Sequence, residues 1–358
     1  MATAVNLNDL EALARDRLPQ MVYDYYAGGA NDELTVDENR RAWEAVRLRP
    51  RVLVDVSRVD CATTVLGRPV SMPLLTAPCG FNGLAHPDGE RAVARAAAAA
   101  GVIQVVSTVA TTSLEDVAAA AAGPRWFQLY CYRDREVTRA LVQRAEAAGY
   151  EALCVTVDVP YLGRREREVR NGFHLPPGIT ITNLEPYAVA GMAAAERDSA
   201  LARYVNALWD PSLDWRSIDW LRSITRLPVV LKGILAGDDA RLAADHGARA
   251  VIVSNHGGRQ LDGSVCSAHA LRDVVDAAAG RLEVLVDGGI RRGSHIVAAL
   301  AMGARAVLIG RPYLWGLAVN GEDGVRQVLD GLRNELVLAM ALCGRPSVAA
   351  IDGSLLAG

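Results

Sequence analysis

The sequence predicts an α/β protein: a closed (β/α)8 barrel, preceded by helices and carrying a long insertion after its fourth strand. Three observations predict it. Eight short runs are apolar almost without a break: PLLTAP (73–78), VIQVVS (102–107), RWFQLY (125–130), ALCVTVD (152–158), PVVLKG (228–233), AVIVSN (250–255), EVLVDG (283–288) and AVLIGR (306–311). Strands covered on both faces must look like this, and alanine-rich helical stretches alternate with them. Most of the runs are spaced by about 20–35 residues, the length of one strand–helix unit. A doubly wound open sheet competes, but no G-x-G-x-x-G follows the first run.

Ahead of the barrel, residues 1–70 read as helices. Pro19 opens the segment PQMVYDYYA, and Gly28-Gly29 ends it, because glycine accepts a left-handed helix terminus cheaply. Thr35 followed by Glu38 has the spacing of a capping box for the helix through Trp43. Residues 159–227 form a connection of about 70 residues, far beyond the usual loop. With Pro176-Pro177-Gly178 and a polar, partly helical middle, it reads either as decoration or as a lid. Its position after the active end of a strand favours the lid. The length of 358 residues alone would suggest about two domains, but a single barrel takes roughly 250 residues or more, so 1–358 reads as one domain.

Composition narrows the function. Half of the residues (51%) are hydrophobic, enough for a large core, and the net charge of −3 provides no basic stripe for nucleic acid. Six cysteines (61, 79, 131, 154, 266 and 343) without a C-x-x-C pair fit neither a zinc knuckle nor a disulfide scaffold, which points to a reducing, cytoplasmic setting. The opening MATAVNLNDLEALARDRL is charged and helical in pattern, unlike a signal peptide. The most apolar stretch, Ala92–Thr112, is broken by Arg95 and Gly101, so no membrane span is expected.

Polar residues collect at the strand ends, where barrels keep their chemistry. They are Gln128 and Tyr130, Thr156 and Asp158, Lys232, Ser254 and His256, Asp287 and Arg311. Buried polar side chains are costly unless partnered, so this recurrence argues for a ligand. DGGIRRG (287–293) and IGRP (309–312) set glycines between a strand and a helix start. They read either as tight turns or as a phosphate cradle, with Arg291 and Arg311 adding charge. In SNHGGRQLD (254–262) a histidine stands beside Arg259; with Asp158 and Arg165 it offers a base, an orienting carboxylate and two cations for an anion. No H-E-x-x-H or other ligand spacing supports a metal. Lys232 has three readings: Schiff-base nucleophile, counter-charge to an anionic cofactor ring, or snorkelling lysine.

Nine segments together resemble one family: VYDYYAGG (22–29), SMPLLTAP (71–78), HPDGE (86–90), WFQLY (126–130), TVDVPYLGRRERE (156–168), LPVVLKGIL (227–235), VSNHGGRQLDG (253–263), VDGGIRRG (286–293) and VLIGRP (307–312). They are similar to the FMN-dependent 2-hydroxy-acid oxidases and dehydrogenases, the group of glycolate oxidase, lactate oxidase and mandelate dehydrogenase. The family fold is the same TIM barrel, and the likeness covers nearly the whole chain. It implies that FMN oxidises a 2-hydroxy acid to the 2-keto acid, with flavin N5 accepting the electrons. His256 would take the proton, Asp158 would hold the imidazolium, and Arg165, Arg259 and Tyr25 would bind the substrate carboxylate. Tyr130 would meet the substrate oxygen, and Lys232 would face the anionic ring, which selects its second reading. Ala77, Pro78, Cys79, Gly80, Ser107, Gln128 and Thr156 would contact the ring; Ser254 and Asp287 would support ring and ribityl chain; Gly288, Gly289, Arg291, Gly310 and Arg311 would hold the phosphate.

The departures from the family bear on the substrate. Glycolate oxidase has a tryptophan where this chain has Val109, and Gly80 stands where oxidases usually carry alanine. A wider pocket lined by Val109, Phe81 and Leu162 suits a bulky or aromatic, mandelate-like acid, with a small aliphatic acid as the alternative. The acceptor would be oxygen or a quinone or protein carrier. Residues 171–213 hold Glu185, Glu196, Arg197, Asp198 and Arg203, too polar for the membrane anchor of some members. No haem domain is expected, and a homotetramer is expected by analogy. Two readings of another class are a barrel lyase or isomerase using Lys232, and a non-catalytic flavin binder.

Overall fold

A computed structural model describes residues 4–187 and 199–357. Glu196, Arg197 and Asp198 lie outside the described residues. The eight predicted runs all form strands: β3 (Leu74–Thr76), β4 (Ile103–Ser107), β5 (Arg125–Leu129), β6 (Ala152–Thr156), β7 (Val229–Ile234), β8 (Ala250–Val253), β9 (Glu283–Val286) and β10 (Ala306–Ile309). They pair in parallel and in chain order, and β10 closes on β3 to complete the barrel. Outer helices follow the strands: α4 (Gly89–Ala100), α5 (Leu114–Ala120), α6 (Arg135–Ala147), α10 (Gly237–Asp245), α11 (Ser267–Ala278), α12 (Gly293–Ala301) and α13 (Arg311–Leu342).

Successive side chains on a strand point to opposite faces, so each strand has one inward set. Leu75, Val105, Trp126, Cys154, Val230, Ile252, Leu285 and Leu308 pack together across the barrel interior. Two residues further along each strand, on the same inward face, come Ala77, Ser107, Gln128, Thr156, Lys232, Ser254, Asp287 and Gly310. The barrel core therefore gives way, in one step and on all eight strands, to a layer of small or polar groups. Tyr130, Asp158 and His256 stand a further two residues on, above that layer.

Three expectations about the first 70 residues need correction. Helices α1 (Leu7–Arg17), α2 (Gln20–Ala27) and α3 (Leu34–Ala45) form, but residues beyond Ala45 do not continue as helix. Instead β1 (Thr63–Val65) and β2 (Arg68–Val70) make an antiparallel hairpin. Its Val65 and Val70 join the interior cluster and stopper the floor of the barrel. Glu283 Oε2 accepts from the Leu66 amide at 2.8 Å, and the Arg305 Nε donates to the Thr64 carbonyl at 2.6 Å. Second, Thr35 caps nothing: α3 begins one residue earlier, and Asp262 accepts the amides of Asp32 (3.1 Å) and Thr35 (2.9 Å) from across the fold. Third, Gly28 ends α2 with extended backbone (φ −64°), not left-handed. The demand for glycine is close packing: a Cβ on Gly28 would lie 2.6 Å from the Asp24 carbonyl oxygen, and one on Gly29 2.3 Å from Val36.

The 159–227 connection contains α7 (Glu166–Arg170), α8 (Ala200–Leu208) and α9 (Trp215–Ser223). Its own Phe173, Ile181 and Leu184 are fully buried, and Trp209 bridges to Tyr132 just past β5, so the described part of the connection lies against the C-terminal mouth. Glu185 and Arg203 are exposed. No helix among the described residues is long and apolar enough to cross a membrane.

Candidate active site

A cleft at the mouth encloses about 960 Å³, counting its open end. Tyr25 and Tyr26 of α2, Ala77–Gly80, Val109, Tyr130, Leu162, Arg165, Lys232, His256, Arg259, Asp287–Arg291 and Gly310-Arg311 line it. The sequence-predicted residues therefore come from α2, from β7 itself (Lys232) and from the segments after the other seven strands, and meet in one place. His256 Nδ1 donates to Asp158 Oδ1 at 3.0 Å, which leaves Nε2 for a ligand. The His256 backbone is left-handed (φ 59°), a conformation costing a non-glycine residue about 1–3 kcal/mol and held only where its surroundings enforce it. A bulge in β7 at Gly233 (φ +115°) brings the backbone under Asp158; a Cβ there would sit 2.6 Å from the Asp158 Cβ.

Lys232 is buried, donates to Ser254 Oγ at 2.9 Å, and pairs with Asp287 Oδ2 at 3.2 Å. Burial alone would lower its pKa, but Asp287 and Asp158 outweigh burial and hold it above the ordinary lysine value. Burial likewise works against an ionised Asp158, yet His256 and Lys232 keep its pKa below the usual range. Burial pushes His256 down; Asp158 opposes this and Lys232 adds to it, so the imidazole is neutral near pH 7. Tyr25, buried, is pushed up to about 12 against the pull of Arg259, and Tyr130 is raised by burial too, so both are protonated donors.

Two groups of predicted residues lie elsewhere than at the cleft surface. Phe81 is fully buried behind Tyr25, ring centroids 5.6 Å apart, and also packs on Phe173; it does not line the cleft. Ser107, Gln128, Thr156 and Ser254 sit in the layer beneath. There Ser107 Oγ donates to Gln128 Oε1 (3.2 Å) and Gln128 Nε2 to Thr156 Oγ1 (2.9 Å). Arg311 lines the cleft but spends Nε, Nη1 and Nη2 on the carbonyls of Tyr26, Gly257 and Gly28.

Sequence reasoning overlooked two neighbours. Glu168, buried on α7, accepts from Arg165 at 3.1 Å and lies 3.5 Å from Arg259, so one carboxylate joins the two guanidiniums. Its three-residue spacing from Arg165 was a readable signal, since such pairs meet on a helix face. Trp209 stacks on Tyr130 with centroids 3.6 Å apart; an irregular insertion offered no periodicity to find it.

The family model for FMN-dependent dehydrogenase matches residues 14–358. The chain belongs to this family. It is the family of 2-hydroxy-acid oxidases and dehydrogenases that the sequence resembles. The chain is 52% identical to the L-lactate oxidase of Nostoc sp. over 99% of both chains. It is 50% identical to the glycolate oxidase of Spinacia oleracea, over 98% of this chain and 95% of that one. A crystal structure of mandelate oxidase with (S)-4-hydroxymandelic acid superposes with a TM-score of 0.94 at 47% identity, covering 99% of this chain and 98% of that one.

The cleft suits the FMN of this family. Asp287 Oδ1 and Asp158 Oδ2 are buried without a hydrogen-bond partner, as expected of groups kept for a polar ligand. Gly288 and Gly289 turn left-handed (φ +86° and +83°), and a Cβ on Gly289 would lie 2.1 Å from the Asn39 carbonyl oxygen. Arg291 and Arg311 are partly buried cations at this end. Burial lowers both, Arg311 to about 9 with further lowering by Arg259 and Arg291, so a bound phosphate would relieve them.

Proposed function

We propose that this FMN-dependent enzyme oxidises a bulky or aromatic, mandelate-like 2-hydroxy acid to the 2-keto acid, with oxygen as the electron acceptor. The observation that carries the oxidation is one pocket holding a neutral imidazole oriented by an ionised carboxylate and two guanidiniums that share one buried glutamate. Two cations and Glu168 sum to one positive charge, which a single substrate carboxylate neutralises. Arg165, Arg259 and the Tyr25 hydroxyl bind that carboxylate, and Tyr130 donates to the 2-oxygen. Nε2 of His256 receives the proton while Asp158 stabilises the imidazolium that forms. FMN, when bound, supplies the two-electron acceptor. Ala77–Gly80, Ser107, Gln128, Thr156, Lys232, Ser254 and Asp287 would hold its ring and ribityl chain, and Gly288, Gly289, Arg291, Gly310 and Arg311 its phosphate.

Val109 and Gly80 support the bulky substrate. Together with Leu162 they give the substrate end an apolar wall, with no large side chain at position 109. The mandelate oxidase likeness agrees in direction, and the names of all three relatives support oxygen as acceptor. The identity with L-lactate oxidase favours the small aliphatic acid as a second reading. A paired Lys232 held above its ordinary pKa is a poor imine-forming nucleophile, which argues against a lyase.

A substrate panel tests the choice. Both enantiomers of mandelate, L-lactate, glycolate and 2-hydroxyoctanoate are compared with oxygen and with an artificial dye. One mandelate enantiomer is expected to give the highest kcat/KM; a higher value for glycolate or lactate moves the assignment to the second reading. Oxygen is expected to be consumed with each turnover, and turnover with the dye alone rejects it as acceptor.

The pH profile follows from the imidazole. A base must be neutral to act, and burial lowers His256 below its ordinary pKa near 6.5, so it stays neutral further into acid. The acid limb of kcat/KM, which reports the free enzyme, is expected to have its midpoint below that value. A midpoint above it contradicts the electrostatics described for the pair.

A further inference from the structure

Helix α3 holds two parts of the site at once. Its Trp43 Nε1 donates to the Gly288 carbonyl at 2.7 Å, and its Asn39 backbone presses on Gly289. On the same face the buried Asn39 side chain meets the buried Asn255, the residue before His256. Asn39 Nδ2 donates to Asn255 Oδ1 at 2.8 Å, and Asn255 Nδ2 donates back to Asn39 Oδ1 at 2.9 Å. Neither amide can be turned over. Asn255 Oδ1 also accepts the Gly258 amide (3.1 Å) and Asn255 Nδ2 also donates to the Val265 carbonyl (3.2 Å). Asn39 Oδ1 also accepts the Ser267 amide at 3.3 Å. A flip would set donor against donor and acceptor against acceptor.

We infer that Asn39 is a positioning residue for the base: the reciprocal amide pair with Asn255 holds the loop 255–258 so that His256 keeps its left-handed backbone and its ring stays on Asp158. The inference rests on His256 acting as base. A left-handed histidine relaxes to an ordinary conformation unless its neighbours prevent it, and two hydrogen bonds from a helix outside the barrel strands do so. The same helix touches the Gly288-Gly289 turn, so it fixes the loop of the base relative to the proposed phosphate cradle.

Asn39→Leu keeps the size of the side chain and removes both hydrogen bonds to Asn255 together with the one from the Ser267 amide. Asn39→Asp keeps the acceptor and removes the donor, and it is read alone if the leucine variant does not fold. In the folded holoenzyme, the rate of anaerobic flavin bleaching at saturating 2-hydroxy acid is expected to fall about tenfold or more. The half-saturating substrate concentration is expected to stay within roughly threefold, because the arginines are untouched. Amide hydrogen exchange, read by mass spectrometry, is expected to speed up in peptides covering 255–263 and to stay unchanged in α4. Bleaching at the wild-type rate overturns the inference, and so does a rate loss accompanied by faster exchange throughout the barrel. His256→Ala, measured alongside, separates the two claims. If that variant still bleaches at the wild-type rate, the base assignment fails although the amide pair is intact.

Discussion

His256→Ala is expected to lower the rate of flavin reduction by 2-hydroxy acid about a thousandfold, within the range of roughly 10²–10⁴ for loss of a positioned base. The variant keeps Lys232, Asp287 and the glycine turns, so FMN is expected to bind as before. It keeps Arg165 and Arg259, so a 2-keto acid product is expected to bind as before too. Asp158 loses its partner at 3.0 Å, and with it one of the two neighbours that hold its pKa down. Stopped-flow absorbance under anaerobic conditions reads the rate, and flavin fluorescence quenching reads the cofactor. Turnover within tenfold of the wild type removes His256 from the role of base.

Glu168→Ala is expected to destabilise the fold by about 3–5 kcal/mol, the cost of removing one partner from a buried ionic group. Arg165 and Glu168 are almost wholly buried, and Arg259 is little exposed, so solvent cannot take the place of the lost carboxylate. The two guanidiniums then face each other without a counter-charge. Arg259 still donates to the Tyr25 and Gly28 carbonyls at 2.6 and 2.8 Å, which limits how far it can move away. Chemical denaturation followed by tryptophan fluorescence reads the loss. A saturating carboxylate inhibitor is expected to restore more stability to the variant than to the wild type, because it supplies the missing charge. A loss under about 1 kcal/mol excludes Glu168 as the joint between the arginines.

The barrel and its functional end were legible because they depend on a two-residue period. Once eight apolar runs are aligned by strand, the change from core to small or polar residues falls on the same face of each, and the site residues follow. Features fixed by contacts distant in sequence were not legible. Asp262 caps a helix that begins more than two hundred residues earlier, and no local pattern marks it. The β1–β2 hairpin has strands of three residues and a turn through Leu66-Gly67, where leucine adopts the left-handed conformation that glycine or asparagine ordinarily supplies. Phe81 also has left-handed backbone (φ 57°) and packs behind Tyr25, which reading along the chain could not anticipate.

Because β1 and β2 seal the far end, the barrel is a cup that opens at its C-terminal mouth. A 2-hydroxy acid and its keto product would both pass through that mouth. A large product still in place obstructs the next arrival, so bulkier acids should show stronger competitive inhibition by their own keto products.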